Sequence, residues 1–193
     1  MVHDNERIVF FDEFAVYDRP SLFYGWAERN TRPEVKSDES KRNKLNGMLC
    51  VDAISGEEFF RLSVGSKTED VSEYLAELCL NSIEAGYTKL CIMMDRNPTH
   101  KEKMQNQLKL HLEQMGLSQE IKVEYQHIPA YSPKLNLVEY VIHLLRLRFL
   151  HHLPIGKTLG DITNQLEQFF ESSQFLSKIQ VRKTLDFIFS LIT

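Results

Sequence analysis

The stretch "KLCIMMD" at residues 89–95 decides the fold, because six mostly apolar residues end abruptly on a carboxylate. A run this short and this apolar suits a strand covered on both faces, the condition of a parallel strand in an α/β sheet. On its N-terminal side "TEDVSEYLAELCLNSIEAG" changes the apolar period to that of a helix, with Thr68 or Asp70 as N-cap and Gly86 at the stop. On its C-terminal side "THKEKMQNQLKLHLEQMG" predicts a second helix closed by Gly116, and "IKVEYQHIP" at 121–129 a further strand.

Further outward, "RIVFFDEFAV" at 7–16 predicts a first strand, with "SLFYGWA" at 21–27 returning as a second after the turn-like "YDRP". "LNGMLCVDAI" and "EEFFRLSV", separated by "SGE", have the local chemistry of a hairpin. After the turn "YSPKLN", an apolar helix from Leu137 runs toward Pro154, and two more helices follow near 161–172 and 178–192. Strands in succession followed by helix, strand, helix, strand and helix describe an α/β layer protein whose later strands need crossover helices.

The 193 residues, 42% hydrophobic and 10% aromatic, suffice for one domain with a substantial core, so a single domain over 1–193 is expected. A formal net charge of −4 argues against a protein whose whole surface grips nucleic acid, though a local basic patch remains compatible. Cys50, Cys79 and Cys91 lack the spacing of a disulfide framework or zinc site and read as buried thiols in a reducing cytoplasm. The N-terminus has no signal-peptide pattern, and no apolar run is long enough to span a membrane.

Three acids stand where chemistry is possible. Asp12 and Glu13 sit in the middle of the first strand, where an ionised carboxylate needs an exposed edge, a cation or a metal. By strand alternation Glu13 faces away from Asp12 and reads as a solvated or salt-bridged neighbour. Asp95 ends the buried strand, where open α/β sheets place ligands. Glu139 begins a helix, and Asn136 with Glu139 also fits a capping box. Hard oxygen ligands from three separate elements are what Mg²⁺ or Mn²⁺ takes in phosphoryl-transfer sites.

"FFDEF" (10–14), "MMDRNPTH" (93–100) and "IPAYSPKLNLVEY" (128–140) resemble, in that order, the three catalytic blocks of mariner-like bacterial insertion-sequence transposases. The third block is the most specific, and "YGWAERNTRP" and "NGMLCVDAISGE" resemble the family's intervening segments. The resemblance implies a ribonuclease H-like D-D-E catalytic domain: a mixed sheet flanked by helices, with a core over 7–152 and extra C-terminal helices over 153–193. It implies Asp12, Asp95 and Glu139 as catalytic acids around Mg²⁺ or Mn²⁺, with two ions as the expected complement, acting on DNA. Hydrolysis at element ends would then be followed by 3′-hydroxyl transfer to target DNA.

The same resemblance suggests nucleic-acid or active-site contacts for His100 and a phosphate contact for Arg146. Arg42 and Lys44 belong to a basic loop with Arg29, Arg32, Lys36 and Lys41 that could follow a DNA backbone or simply be solvated. Trp26, Phe10, Phe11 and Phe14 read as core, and His151 and His152 as surface residues. Only eleven residues precede Asp12, so the family's helix-turn-helix reader is expected to be absent here and supplied by a separate partner, with a homo-oligomer as the other arrangement. Location would be a bacterial-type cytoplasm, on the nucleoid when DNA-bound.

The sequence departs from the family pattern at Arg96, Leu137 and Ile142. Arg96 would either pair with Asp95 and compete with metal or hold a phosphate. Two other readings fit the same residues: a decayed or repurposed transposase domain that binds DNA or protein, and a nuclease of this fold acting on RNA-containing duplexes or junctions.

Overall fold

The computed structural model describes residues 5–18, 28–31, 43–154 and 156–192. The expected strand at 21–27, Trp26 and most of the basic loop, including Arg32, Lys36, Lys41 and Arg42, lie outside the described residues.

Strand β1 (Glu6–Tyr17) is followed by the hairpin of β2 (Lys44–Asp52) and β3 (Glu58–Ser63). Helix α1 (Thr68–Glu84) leads to β4 (Lys89–Met94), and α2 (Glu102–Gln114) leads from there to β5 (Lys122–His127). The five strands lie in the order β3-β2-β1-β4-β5. β1 runs antiparallel to β2 and parallel to β4, and β4 runs parallel to β5. Parallel neighbours cannot be joined by a tight turn, which is why a helix intervenes before β4 and again before β5.

Alternation along β1 sorts its side chains between two cores. Val9 and Phe11 join Met48, Cys50, Leu90, Ile92 and Met94 under α1 and α2. Phe10, Phe14 and Val16 join Leu49 and Val51 under α3 (Leu137–Leu145), α4 (Leu159–Ser172) and α5 (Lys178–Ser190). Phe10, Phe11 and Phe14 are thus core residues, at 7%, 0% and 4% exposure. Gly47 stands opposite Phe14 in the β1–β2 register, and a Cβ there would lie 2.5 Å from the Phe14 ring. The missing side chain is what lets that ring lie flat on the sheet.

The buried guanidinium of Arg7 clamps this framework. It meets Asp52 at 3.1 Å and Glu57 at 2.6 Å across the hairpin, and donates to Asn81 and Ser82 of α1. A buried cation needs such complete pairing, because leaving it uncompensated costs several kcal/mol.

Two local expectations change. The helix from Leu137 does not run unbroken toward Pro154: α3 ends at Leu145 and a π-helical turn covers Arg146–Leu150. The capping box at its start does not form either, because the Asn136 side chain caps nothing and turns to the sheet instead. Leu137 and Ile142, two of the departures from the family pattern, are buried in the α3–α5 core.

Candidate active site

The β1–β4 ladder closes with Phe10 opposite Met93, and both Asp12 and Asp95 lie two residues beyond that pair. Equal offset brings the two carboxylates side by side, and alternation turns both toward the α3 face. Glu139, in the first turn of α3, approaches from above that face. All three acids line one cavity of about 480 Å³, together with Arg96, Tyr131 and Asn136.

Asp12 is held on both oxygens. Oδ1 accepts the Glu13 backbone N–H at 2.8 Å, and Oδ2 accepts Asn136 Nδ2 at 3.1 Å. Burial pushes its pKa from 3.8 to about 7; the Glu13 N–H pulls it back, the Glu139 and Asp95 charges push it further up, and His100 opposes them. Asp95 behaves in the opposite way. The neighbouring His100 is the main cause holding its carboxyl below the ordinary carboxylate range, against burial, and the Asn97 N–H at 2.9 Å adds to it. Glu139 is half-buried, and its carboxylate has no hydrogen bond or ion pair among the described residues. The convergence stops short of a finished metal cage: among the described residues, no three acids, histidines or cysteines form a ready-made group for an ion.

His100 does not face outward. It is 0% exposed, in the 3₁₀ turn Pro98–His100, and of the two expected contacts, nucleic acid or active site, its side chain makes the second. Nε2 stands 2.9 Å from Glu13 Oε2, and Nδ1 stands 2.7 Å from Asp95 Oδ1, close enough for an ion pair but without hydrogen-bond alignment. Burial disfavours the charged ring, but the two flanking carboxylates outweigh it and raise its pKa to about 9. Glu13 is accordingly the salt-bridged neighbour rather than a solvated one.

Arg96 is exposed on the cavity wall and makes no ion pair with Asp95 among the described residues, since His100 occupies that role. Arg146 lies half-buried where α3 passes into its π-helical turn, outside the cavity lining. Lys44 is exposed at the start of β2, beside a shallow depression shared with Glu13 and Asn97. His152 is exposed and His151 half-buried.

Sequence reasoning missed one participant. Asn136 reads as a cap in its local segment, and only the approach of α3 to β1, 124 residues away in the chain, shows that it serves Asp12. No local signal marks that contact.

The DDE superfamily endonuclease family model matches residues 7–158. Among curated proteins no match is found. Among solved structures, the Mos1 mariner paired end complex with Mg is similar over 96% of this chain and 54% of that chain, at 17% identity and a TM-score of 0.62. The corresponding complex with Mn aligns over 94% of this chain and 52% of that chain, at 14% identity and a TM-score of 0.61. The Mos1 strand transfer complex aligns over 94% and 51%, at 15% identity and a TM-score of 0.61. The chain therefore spans about half the length of the transposase chains it matches, and at these identities the likeness is one of fold. The mixed five-stranded sheet flanked by helices is the fold that the sequence resemblance implied. With a family model matched over most of its length, this chain belongs to the DDE superfamily endonucleases.

Proposed function

We propose that this domain cleaves and joins DNA phosphodiesters as the catalytic part of a transposase, with Asp12, Asp95 and Glu139 as its metal-binding acids. The observation that carries this reading is the gathering of three carboxylates from β1, the end of β4 and the start of α3 around one cavity. Nothing in the packing of a stable core calls for that arrangement.

The donor set fits a hard divalent cation. Asp12 carries a pKa near 7 because it is buried among other negative charges, and Glu139 has no hydrogen-bond or ion-pair partner among the described residues, so a cation would relieve both conditions. The carboxylates would have to draw together on binding. When bound, Mg²⁺ or Mn²⁺ would activate the attacking water or 3′-hydroxyl and stabilise the leaving oxygen, most effectively as a pair of ions.

The protein's own groups supply orientation and charge. Asn136 and the Glu13 N–H fix the Asp12 carboxylate, and His100 with the Asn97 N–H fixes Asp95. Arg96 presents a guanidinium to the cavity, suited to a phosphate oxygen. The three cysteines are all buried, and burial raises each thiol, Cys50 and Cys79 to about 12, away from the thiolate that would attack. DNA would be the substrate, and a homo-oligomer or a separate helix-turn-helix partner would provide recognition of element ends.

The test is nicking of supercoiled plasmid by the purified chain. Mn²⁺-dependent nicking is expected to fall by roughly 100-fold or more in Asp12→Asn, Asp95→Ala and Glu139→Ala, the scale of losing an electrostatic catalytic group. Nicking that survives all three substitutions would refute the assignment. The lack of a ready-made three-ligand group favours one second reading, a domain that keeps the fold and binds DNA or protein without cutting it. DNA binding with no Mn²⁺ uptake would select that reading.

A further inference from the structure

We infer that Glu13 and His100 form a buried brace that orients Asp95 toward the cavity, making His100 a positioning residue of the site. The inference rests on the functional reading above and extends it to two residues on the opposite side of the sheet.

The geometry begins with alternation. Asp12 faces the cavity, so Glu13 must point to the α1–α2 side, where its carboxylate, 12% exposed, has little solvent to stabilise it. His100 meets it there, lodged edge-on against Phe11 with ring centroids 5.3 Å apart. The ring then spans the gap between the middle of β1 and the end of β4, with Glu13 Oε2 at 2.9 Å on Nε2 and Asp95 Oδ1 at 2.7 Å on Nδ1. Turning the ring over would put carbon atoms against both carboxylates, so the two contacts fix each other.

Asp95 Oδ1 is pinned twice, by His100 and by the Asn97 N–H at 2.9 Å. Oδ2 has no partner among the described residues, and the side chain is 50% exposed beside the cavity. A carboxylate with one oxygen tied back and the other free is prepared to donate in a single direction. The outer groups that orient metal-binding side chains work in this way, and losing one costs about 10–100-fold in metal affinity or activity. Glu13 Oε1 is buried without a hydrogen-bond partner among the described residues, so the brace retains a group that stability alone would replace with an apolar side chain.

The experiment measures Mn²⁺ binding to the whole chain by the electron paramagnetic resonance signal of free Mn²⁺, alongside thermal unfolding without metal. His100→Leu and Glu13→Leu are expected to raise the Mn²⁺ dissociation constant by roughly 10-fold or more. Glu13→Gln, which keeps an acceptor facing Nε2, is expected to recover most of the affinity. Saturating Mn²⁺ should restore the nicking rate of the Leu variants, separating lost cation positioning from lost chemistry. Should His100→Leu fail to fold, Glu13→Leu at the other end of the brace answers the same question. Folded Glu13→Leu with unchanged Mn²⁺ affinity and only a lower melting temperature would overturn the inference while leaving the functional reading intact. A wild-type chain that takes up no Mn²⁺ would remove both.

Discussion

Folding makes Asp12 harder to ionise, and the consequence is measurable. Its pKa rises from 3.8 to about 7, chiefly through burial, so between those values the folded chain keeps a proton that the unfolded chain has released. The unfolded state then binds fewer protons, and stability falls as pH rises through that window. The slope from this one group is about 1.4 kcal/mol per pH unit at its steepest. Asp12→Asn cannot titrate, so its stability advantage over the wild type in metal-free buffer should grow from pH 4 to pH 7 and level off above. Urea unfolding of both proteins across that range checks it, and a constant difference would contradict the burial of a shared negative site. The capping motif around Asn136 was legible, but its use was not, because a cap and a carboxylate holder are the same residue type in the same local sequence. What separates them is whether β1 lies within 3.1 Å, a fact of tertiary packing.

At the level of elements, the connection between α4 and α5 is fastened to the sheet by one side chain. Glu58 of β3 accepts the Phe175 N–H on both oxygens, at 2.9 and 3.0 Å, and the Leu176 N–H at 3.0 Å. Burial lifts its pKa from 4.5 to about 7 against the pull of those two N–H groups, so it is mostly ionised at pH 8. Glu58→Ala strands both donors and should cost about 1–3 kcal/mol in urea unfolding at pH 8. Faster amide exchange across 178–190 should accompany the loss, and an unchanged unfolding midpoint would mean that the apolar packing of α4 and α5 suffices alone. The helices themselves were readable, since apolar periods of two and of about 3.6 residues are written directly in the side chains. Periodicity does not encode the hydrogen-bond offset, however. The passage of α3 into a π-helical turn at Arg146–Leu150 therefore had no signature. The latch between Glu58 and Phe175 spans 117 residues and had none either.

For the molecule as a whole, the site lies at the seam between the sheet and its α3–α5 covering layer. Asp12 and Asp95 belong to the sheet, Glu139 and Asn136 to the cover, and the repulsion among the acids acts across the boundary that folding must close. A cation that engages acids from both layers binds the folded state and not the separated chain, so it adds stability by mass action. At a free concentration one hundred times the dissociation constant, that gain is about 2.7 kcal/mol. For a domain of this size each kcal/mol moves the melting temperature by roughly 2–4 °C, which places the wild-type shift at about 5–10 °C. Asp12→Asn removes one of the two sheet carboxylates at the seam and should shift much less under the same Mn²⁺ titration. Equal shifts in the two proteins would mean that the cation binds elsewhere on the acidic surface, and the link between the seam and metal binding would be lost. A shift confined to the wild type would show that the same charges that strain the metal-free fold are the ones that a cation turns into stability.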